Sequence, residues 1–404
     1  MRISICLCLC QRSKNEFNLK FLLNIRVCAS LLKKKEMLRS TIRTIIKNNQ
    51  HGLKQNKHIA SSMSTSVTYG PGGRASAGPD TVTVFGATGQ LGRYVVTELA
   101  KQGNTVIVPF RGDDMEWRHL KVTGDLGRVA PMPYNIRDED SVRATLQYSN
   151  KCVNLIGKHY ETQHVFGPLT PNFTLYDVNV TAAETVANAC NDMGVDHLVH
   201  VSSLAANEKS SSEWARTKLF GEKAVKAIRP DATICRLATL FGQEDRFLNF
   251  IAYLCRTKNP LMGPIVINGG TNKVQPLWAA SAGEAIGKAA MLGDDAKGFT
   301  YHLAGEDVFT TEEIVDFVLE SIQTDVQKKY ISAERAEAMG MWYETIWDPK
   351  CTRDSLKLWQ EDVVLNAQYG ERTIKDLGVT PRAMEREAFN YLIRFRKGGH
   401  FIEL

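Results

Sequence analysis

From residue 80 onward the sequence predicts an α/β fold, a Rossmann-type doubly wound parallel sheet. Two observations predict it. Apolar runs of strand length alternate with helical patterns, as they must where a parallel sheet is covered on both faces. A glycine-rich turn also stands directly between the first run and the first helix. Strands are predicted over Thr81–Phe85, Thr105–Pro109, near Arg128–Tyr134, and over Lys151–Ile156, His197–Ser202 and Ala232–Leu237. Helices fit between them over Leu91–Lys101, Asp138–Tyr148, Thr181–Met193 and Trp214–Ala227. Gly103 and Gly194 stand where a residue free to take positive φ closes a helix. Asp138 opens the second helix as an N-cap, with Ser141 in its first turn. Right-handed crossovers place the ligand crevice at the carboxyl ends of the strands. Beyond about residue 240 the alternation weakens. Thr310–Thr324 and Ala333–Met339 read as helices, and the aromatic stretch Met341–Trp347 reads as a packing surface for the chain's own core or for a partner.

Charge divides the 404 residues unevenly. Before Asp80 there are 14 Lys/Arg and two acids, Glu16 and Glu36, which leaves 36 basic and 42 acidic residues of the chain's 50 and 44 for the body. The net charge of +6 therefore belongs to the leader, and an acidic body argues against nucleic-acid binding. From Met37 to Pro79 no acid occurs, while Arg39, Arg43, Lys47, Lys54 and Lys57 punctuate a Ser/Thr-rich stretch. That is the composition of a mitochondrial transit peptide, the alternative being a disordered basic tail. Residues 1–36 read as a possible upstream extension, because the transit-like segment has its own methionine. No stretch reaches the roughly 18 apolar residues of a membrane span, so a soluble or peripheral protein is expected. After the leader, Cys152, Cys190, Cys235, Cys255 and Cys351 are odd in number and form no Cys-x-x-Cys pair, which fits buried thiols in a reducing compartment. The sequons at Asn172 and Asn179 are then incidental.

Gly86-Ala87-Thr88-Gly89-Gln90-Leu91-Gly92 carries the strongest chemistry in the chain. After a strand and before a helix, its glycines permit a tight turn and close approach of a pyrophosphate, and the helix start offers unpaired N–H groups. The second strand ends in Val108-Pro109-Phe110-Arg111-Gly112-Asp113. Arg111 favours a ribose 2′-phosphate and so NADP(H), whereas Asp113 and Asp114 leave NAD open. His159, His164, His197 and His200 form no metal constellation; His197 and His200, beside the fifth strand, read as packed or surface residues. Arg394-Phe395-Arg396-Lys397 reads as a solvated helix end, or as a contact for anionic lipid or a partner.

These motifs, with Asn135-Ile136-Arg137-Asp138, Asn154-Leu155-Ile156-Gly157, Val201-Ser202-Ser203 and Lys218-x-x-Gly221-Glu222, resemble the extended and atypical short-chain dehydrogenase/reductases. More narrowly, Val84–Tyr94, Gly124–Gly127, Arg216–Val225, Phe241–Asn249 and Asp376–Pro381 are similar to the NADPH-binding accessory subunits of mitochondrial respiratory complex I, over about residue 70 to the C-terminus. The resemblance implies a Rossmann sheet with a smaller, mostly helical C-terminal part. It implies three regions: leader and linker over 1–79, an NADP(H)-binding domain over 80–240, and remaining Rossmann elements with an interaction part over 241–404. By position, Gly86, Thr88, Gly89, Gln90, Leu91 and Gly92 would wrap the pyrophosphate and Arg111 the 2′-phosphate. Ile136 would line the adenine, and Leu155, Ile156 and Gly157 would pass under the ribose. Lys218 would bond the nicotinamide ribose, with Ser202 near the nicotinamide. Asn135 stands where many relatives carry an aspartate for the adenine amino group; its carbonyl can still accept.

The second departure is Trp214, in the slot of the catalytic tyrosine one helical turn before Lys218. A Tyr-x-x-x-Lys pair works because the ammonium lowers the phenol pKa from about 10. An indole N–H donates a hydrogen bond but does not release its proton at neutral pH. Tyr160 and Tyr176 are the nearby substitutes, and neither precedes Lys218 by one turn. The resemblance implies no catalytic residue and a peripheral accessory subunit on the matrix side of the inner membrane. It holds NADPH, touches other complex I subunits and supports assembly and stability of the matrix arm. The rival expectation is a free mitochondrial NADPH-dependent reductase.

Overall fold

The computed structural model describes residues 78, 80–164, 167–256, 264–344, 349, 351–365 and 372–396, with backbone alone for those among 162–171. The transit-like leader, the linker up to residue 77, Trp347 and Lys397 lie outside the described residues. Eight strands form one sheet: β1 (Thr81–Phe85), β2 (Thr105–Phe110), β3 (Val129–Pro133), β4 (Lys151–Asn154), β5 (His197–Ser203), β6 (Thr233–Leu237), β7 (Thr300–Leu303) and β8 (Arg372–Thr373). Their order is 3-2-1-4-5-6-7-8, and every neighbouring pair is parallel. The first six lie where the apolar runs place them, in the order that reverses direction between β1 and β4 and opens a crevice there. The sequence gives no warning of β7 and β8, which extend the sheet at one edge.

Between the first six strands run α1 (Gln90–Lys101), α2 (Glu139–Leu146), α3 (Ala182–Asp192) and α4 (Glu213–Ile228). Beyond β6 come α5 (Leu248–Arg256), α6 (Ala279–Met291), α7 (Thr311–Ile322), α8 (Ala333–Tyr343), α9 (Arg353–Leu358) and α10 (Met384–Leu392). Val82, Val84, Val106, Val108, Val153 and Val199 point to the face covered by α1 and α6. Phe85, Cys152 and Leu198 point to the face covered by α2, α3 and α4. α6 approaches α1 closely because it is lined with Ala and Gly: a Cβ on Gly283 would stand 2.5 Å from Tyr94 Cβ. The helical C-terminal part has its own core, where α5, α7 and α10 bury Leu248, Ile251, Ile314, Val318, Met384 and Leu392 together.

Gly103 and Gly194 close their helices at φ +84° and +66°. The start of α2 differs from expectation. Asp138 occupies the N-cap position without a side-chain cap bond, and Ser141 ties the turn instead, its Oγ accepting from Asn135 N and donating to the Asn135 and Asp138 carbonyls. α7 carries a full capping box between Thr310 and Glu313. Two arginines of the basic run near the C-terminus, the exposed Arg394 and the buried Arg396, bond to the chain itself. Arg394 donates to Gln243 O and Asn249 Oδ1, and Arg396 Nε to Ser321 O at 2.8 Å, so these two arginines fasten α10 and the turn after it to α5 and α7. The five cysteines of the body are buried free thiols. Among the described residues no helix is long and apolar enough to cross a membrane.

Candidate functional site

The glycine-rich loop joins the carboxyl end of β1 to α1 over the reversal of strand order. Gly86 has φ +77°, and a Cβ there would stand 3.1 Å from the Leu155 carbonyl; on Gly92 it would stand 2.4 Å from Ala87 O. The backbone of Gly86–Leu91 can thus lie bare between β1 and β4. Gly89 caps α1 with no side-chain bond, which leaves first-turn N–H groups free for an anion. Thr88, Gln90 and Leu91 are half-buried on this loop.

The neighbouring strand ends bring the other predicted residues to the same rim. Arg111 follows β2 and is exposed; its guanidinium lies 5.5 Å from the centre of the Phe173 ring. Asn135 Oδ1 accepts from Arg137 N at 3.2 Å, so one of its two lone pairs holds its own turn. Ile136 and Ile156 pack against the core under α2 and α3, and Leu155 against the core under α1. Asn154, at the end of β4, accepts from Ile156 N at 3.0 Å and bends the chain into Gly157.

α4 carries the remaining groups. Lys218 is buried and its Nζ donates to Ile156 O at 3.4 Å. A Cβ on Gly157 would meet that ammonium at 2.7 Å. Burial pushes Lys218 down to about 8, against a smaller opposing pull from Glu222. α4 comes so near because Gly221 packs on the π-helical turn Asp177–Thr181, where a Cβ would lie 2.2 Å from Asn179 O. One turn before Lys218, Trp214 is buried and stacks on His159 with ring centres 4.6 Å apart. Of the two substitute tyrosines, Tyr176 is exposed, and Tyr160 sits beside Lys158 and Arg246. Next to the Trp214–His159 stack opens a cleft of 360 Å³ bounded by Tyr160, Arg216, Glu344, Arg353 and Asp354.

A dinucleotide fits these residues on an observation independent of motif. Gln90 Nε2, Asn179 Oδ1, Ser202 Oγ and Trp214 Nε1 are buried with no hydrogen-bond partner among the described residues. They sit on the first turns of α1 and α4, at the carboxyl end of β5 and on the turn under α4. Buried polar atoms are normally satisfied, and a cluster of orphans around one crevice is what a polar ligand completes.

His197 and His200 lie inside β5 and are both buried. His197 packs with Thr233 Oγ1 at 2.8 Å. His200 Nδ1 faces Asn154 Nδ2 at 3.3 Å, which assigns its proton to Nε2. Burial first, and then the Lys218 charge, hold its pKa down to about 3. In the unfolded chain a histidine titrates near 6.5. The neutral ring therefore contributes stability above about pH 6.5 that is lost as pH falls toward 3, a total on the order of 5 kcal/mol. Urea unfolding followed from pH 7 to pH 4 should show this loss, and His200→Gln should flatten the slope by nearly one proton. An unchanged slope would remove His200 from the acid sensitivity.

Residues that sequence reasoning missed close the site from the far end of the chain. Asp354, in the first turn of α9, accepts from Glu213 N at 2.7 Å, Trp214 N at 2.9 Å and Ser212 Oγ at 2.8 Å, and so caps α4. Glu361 accepts from the Ser210 and Ser211 hydroxyls and from Ser211 N. Phe173 and His159 were missed as well. No local signal marks any of them, since each partner is remote in sequence.

A parallel sheet in this order, with a glycine-rich first turn and a buried lysine four residues after an aromatic on α4, defines the short-chain dehydrogenase/reductase class. The RmlD substrate binding domain model matches residues 80–341. The NADH-ubiquinone oxidoreductase 40 kDa subunit, mitochondrial, of Neurospora crassa is 36% identical over 335 residues, 82% of this chain and 83% of that one. The NADH dehydrogenase (ubiquinone) 1 alpha subcomplex subunit 9, mitochondrial, of Arabidopsis thaliana is 37% identical over 342 residues, 82% and 81% of the two chains. Among solved structures, an NADPH-dependent quinone oxidoreductase of Escherichia coli complexed with NADPH superposes with a TM-score of 0.58 at 17% identity, over 77% of this chain and 99% of that one, a likeness of fold. The chain belongs to the family of mitochondrial 40 kDa, or alpha subcomplex subunit 9, proteins of NADH-ubiquinone oxidoreductase.

Proposed function

We propose that this chain is an accessory subunit of mitochondrial complex I that holds NADPH without turning it over and stabilises the matrix arm near the membrane. One observation supports the non-catalytic part: the Trp214 indole, stacked on His159, stands one turn before Lys218, where a reductase carries its proton donor. The family relationship over four-fifths of both chains supports the placement in complex I.

Gly86, Thr88, Gly89, Gln90, Leu91 and Gly92 would wrap the pyrophosphate, and Arg111 would meet the 2′-phosphate. Asn135 and Ile136 would flank the adenine, and Leu155, Ile156 and Gly157 would support the ribose. Lys218 and Ser202 would face the nicotinamide end. When bound, NADPH supplies a hydride at its nicotinamide ring. Lys218 would hold the ribose but has no phenol to acidify, so the chain offers no proton to a carbonyl. Bound nucleotide then acts as a folded-state ligand, worth about 2.7 kcal/mol at a concentration 100 times its Kd. In this reading residues 1–79 direct import and are dispensable to the fold, 80–240 hold the nucleotide, and much of 241–404 faces other subunits.

Native electrophoresis of gently solubilised mitochondrial membranes, with cofactor extracted from the band that contains this chain, tests the proposal. Co-migration with the large NADH dehydrogenase assembly, with NADPH in the band, is the expected result. Migration only as a free monomer or small oligomer would overturn it in favour of a free NADPH-dependent reductase.

A further inference from the structure

We propose that Arg137 is a second specificity-determining arginine, which grips the 2′-phosphate together with Arg111, and that Phe173 braces the pair. The inference rests on the NADPH reading above and names the residues that would set its preference over NADH.

The placement begins with register. Phe110 of β2 pairs with Pro133 of β3 at the carboxyl end of the sheet. Arg111 leaves that matched pair one residue later, and Arg137 leaves it in the turn that Asn135 and Ser141 tie. Both emerge on the rim of the crevice one and two strands out from β1. Strands are spaced by about 4.8 Å, so the two arginines lie beyond the pyrophosphate loop, on the side where an adenosine ribose would lie.

Their side chains converge on one ring. Arg137 Cζ lies 4.0 Å and Arg111 Cζ 5.5 Å from the centre of the Phe173 ring, and Arg137 Nη2 also donates to the Asn172 carbonyl. Residues 172–173 end the second strand of the hairpin Thr162–Phe173, which enters the chain after β4. Asn172 and Phe173 thus lie beside the arginines that follow β2 and β3. Cation–π contact orients the guanidiniums without neutralising them.

Charge then identifies the ligand. Among the described residues neither arginine forms an ion pair; Asp113, Asp114 and Asp138, their neighbours in sequence, bridge to neither. Two guanidiniums beside one ring repel each other and leave most of their donors unused. A phosphomonoester, with close to two charges and three acceptor oxygens, matches that need. A bare ribose hydroxyl, which an acid would recognise, does not.

Calorimetric titration of the full chain with NADPH and with NADH tests the proposal. Arg137→Met is expected to weaken NADPH about 30-fold, as for loss of a charge-assisted contact, while NADH changes less than about threefold. Arg137→Lys should recover part of the loss, and Phe173→Leu should weaken NADPH by about threefold to fivefold through the lost brace. Circular dichroism melting checks that each variant folds. Equal loss of both nucleotides, or an unchanged preference in Arg137→Met, would overturn the role of Arg137 while leaving the NADPH reading standing. A native chain that binds NADH as tightly as NADPH would instead overturn the NADPH reading itself.

Discussion

Gly92→Val is expected to abolish dinucleotide binding, weakening it at least about 100-fold, and to cost the fold about 2–3 kcal/mol. The added Cβ would stand 2.4 Å from Ala87 O and 2.5 Å from both Ala87 Cα and Gly86 O. All three are backbone atoms of the turn itself, so relief means moving the turn off the start of α1. The first-turn N–H groups and the bare edge of Gly86–Gly89 would then no longer face one point. Gly194→Ala is the matched control: its φ is +66° but nothing lies within 4 Å of the new Cβ. It should cost about 1 kcal/mol through backbone strain alone and leave binding intact. Nucleotide titration with urea unfolding separates the two. Retention of NADPH within tenfold by Gly92→Val would mean that the loop is not the cradle.

Asp245→Leu is expected to lower stability by about 3–5 kcal/mol, the cost of stripping a buried hydrogen-bonded charge from its donors. Asp245 is 5% exposed. Its carboxylate accepts from Gly242 N at 3.0 Å, Asn249 N at 2.8 Å and the Tyr391 hydroxyl at 2.7 Å. It thereby fixes the turn before α5 and pins α10 to it. Removal would leave two backbone donors and a phenol unpaired in a site closed to water. Tyr391→Phe, which takes away one donor and leaves the others satisfied, should cost about 1 kcal/mol. Differential scanning calorimetry of the two variants would show the contrast; equal small shifts would mean that Asp245 is not the tie between the helices. At the centre of the Phe241–Asn249 motif, Asp245 thus ties the turn before α5 to α10.

The nucleotide half of the fold was legible because each of its strands is an apolar run fenced by turn residues, and because glycine at 86, 89 and 92 has a direct physical use. Beyond β6 that correspondence fails. β7 is four residues long and β8 two, too short to show a pattern. α6 carries Ala, Gly or Ser at nine of its 13 positions, so its buried face is built mostly of small residues rather than a stripe of large apolar ones. Asn135 could be read as an acceptor from its type, but not that its own turn would claim one lone pair. The position of Arg111, just after β2, was legible from the apolar run that precedes it. Nothing local in the sequence reveals that Phe173 gathers the guanidiniums of both Arg111 and Arg137. The same holds for His159, whose stacking on Trp214 depends on a loop and a helix that meet only in three dimensions.

The carboxylates of Asp354 and Glu361 give the chain an order of maturation. They satisfy the backbone and hydroxyl donors that open α4, yet they lie about 140 to 150 residues downstream of those donors. A chain emerging from residue 80 can build β1, the glycine turn and the first four helices well before either carboxylate exists. Until then the start of the helix that presents Lys218 and Trp214 rests on its local cap alone, Ser212 Oγ accepting from Ala215 N. The start of α4 is thus completed by a segment that lies far downstream of it in sequence. A chain truncated before Asp354 is expected to lose these caps on α4, and to hold nucleotide less tightly than the full chain if α4 lines its site.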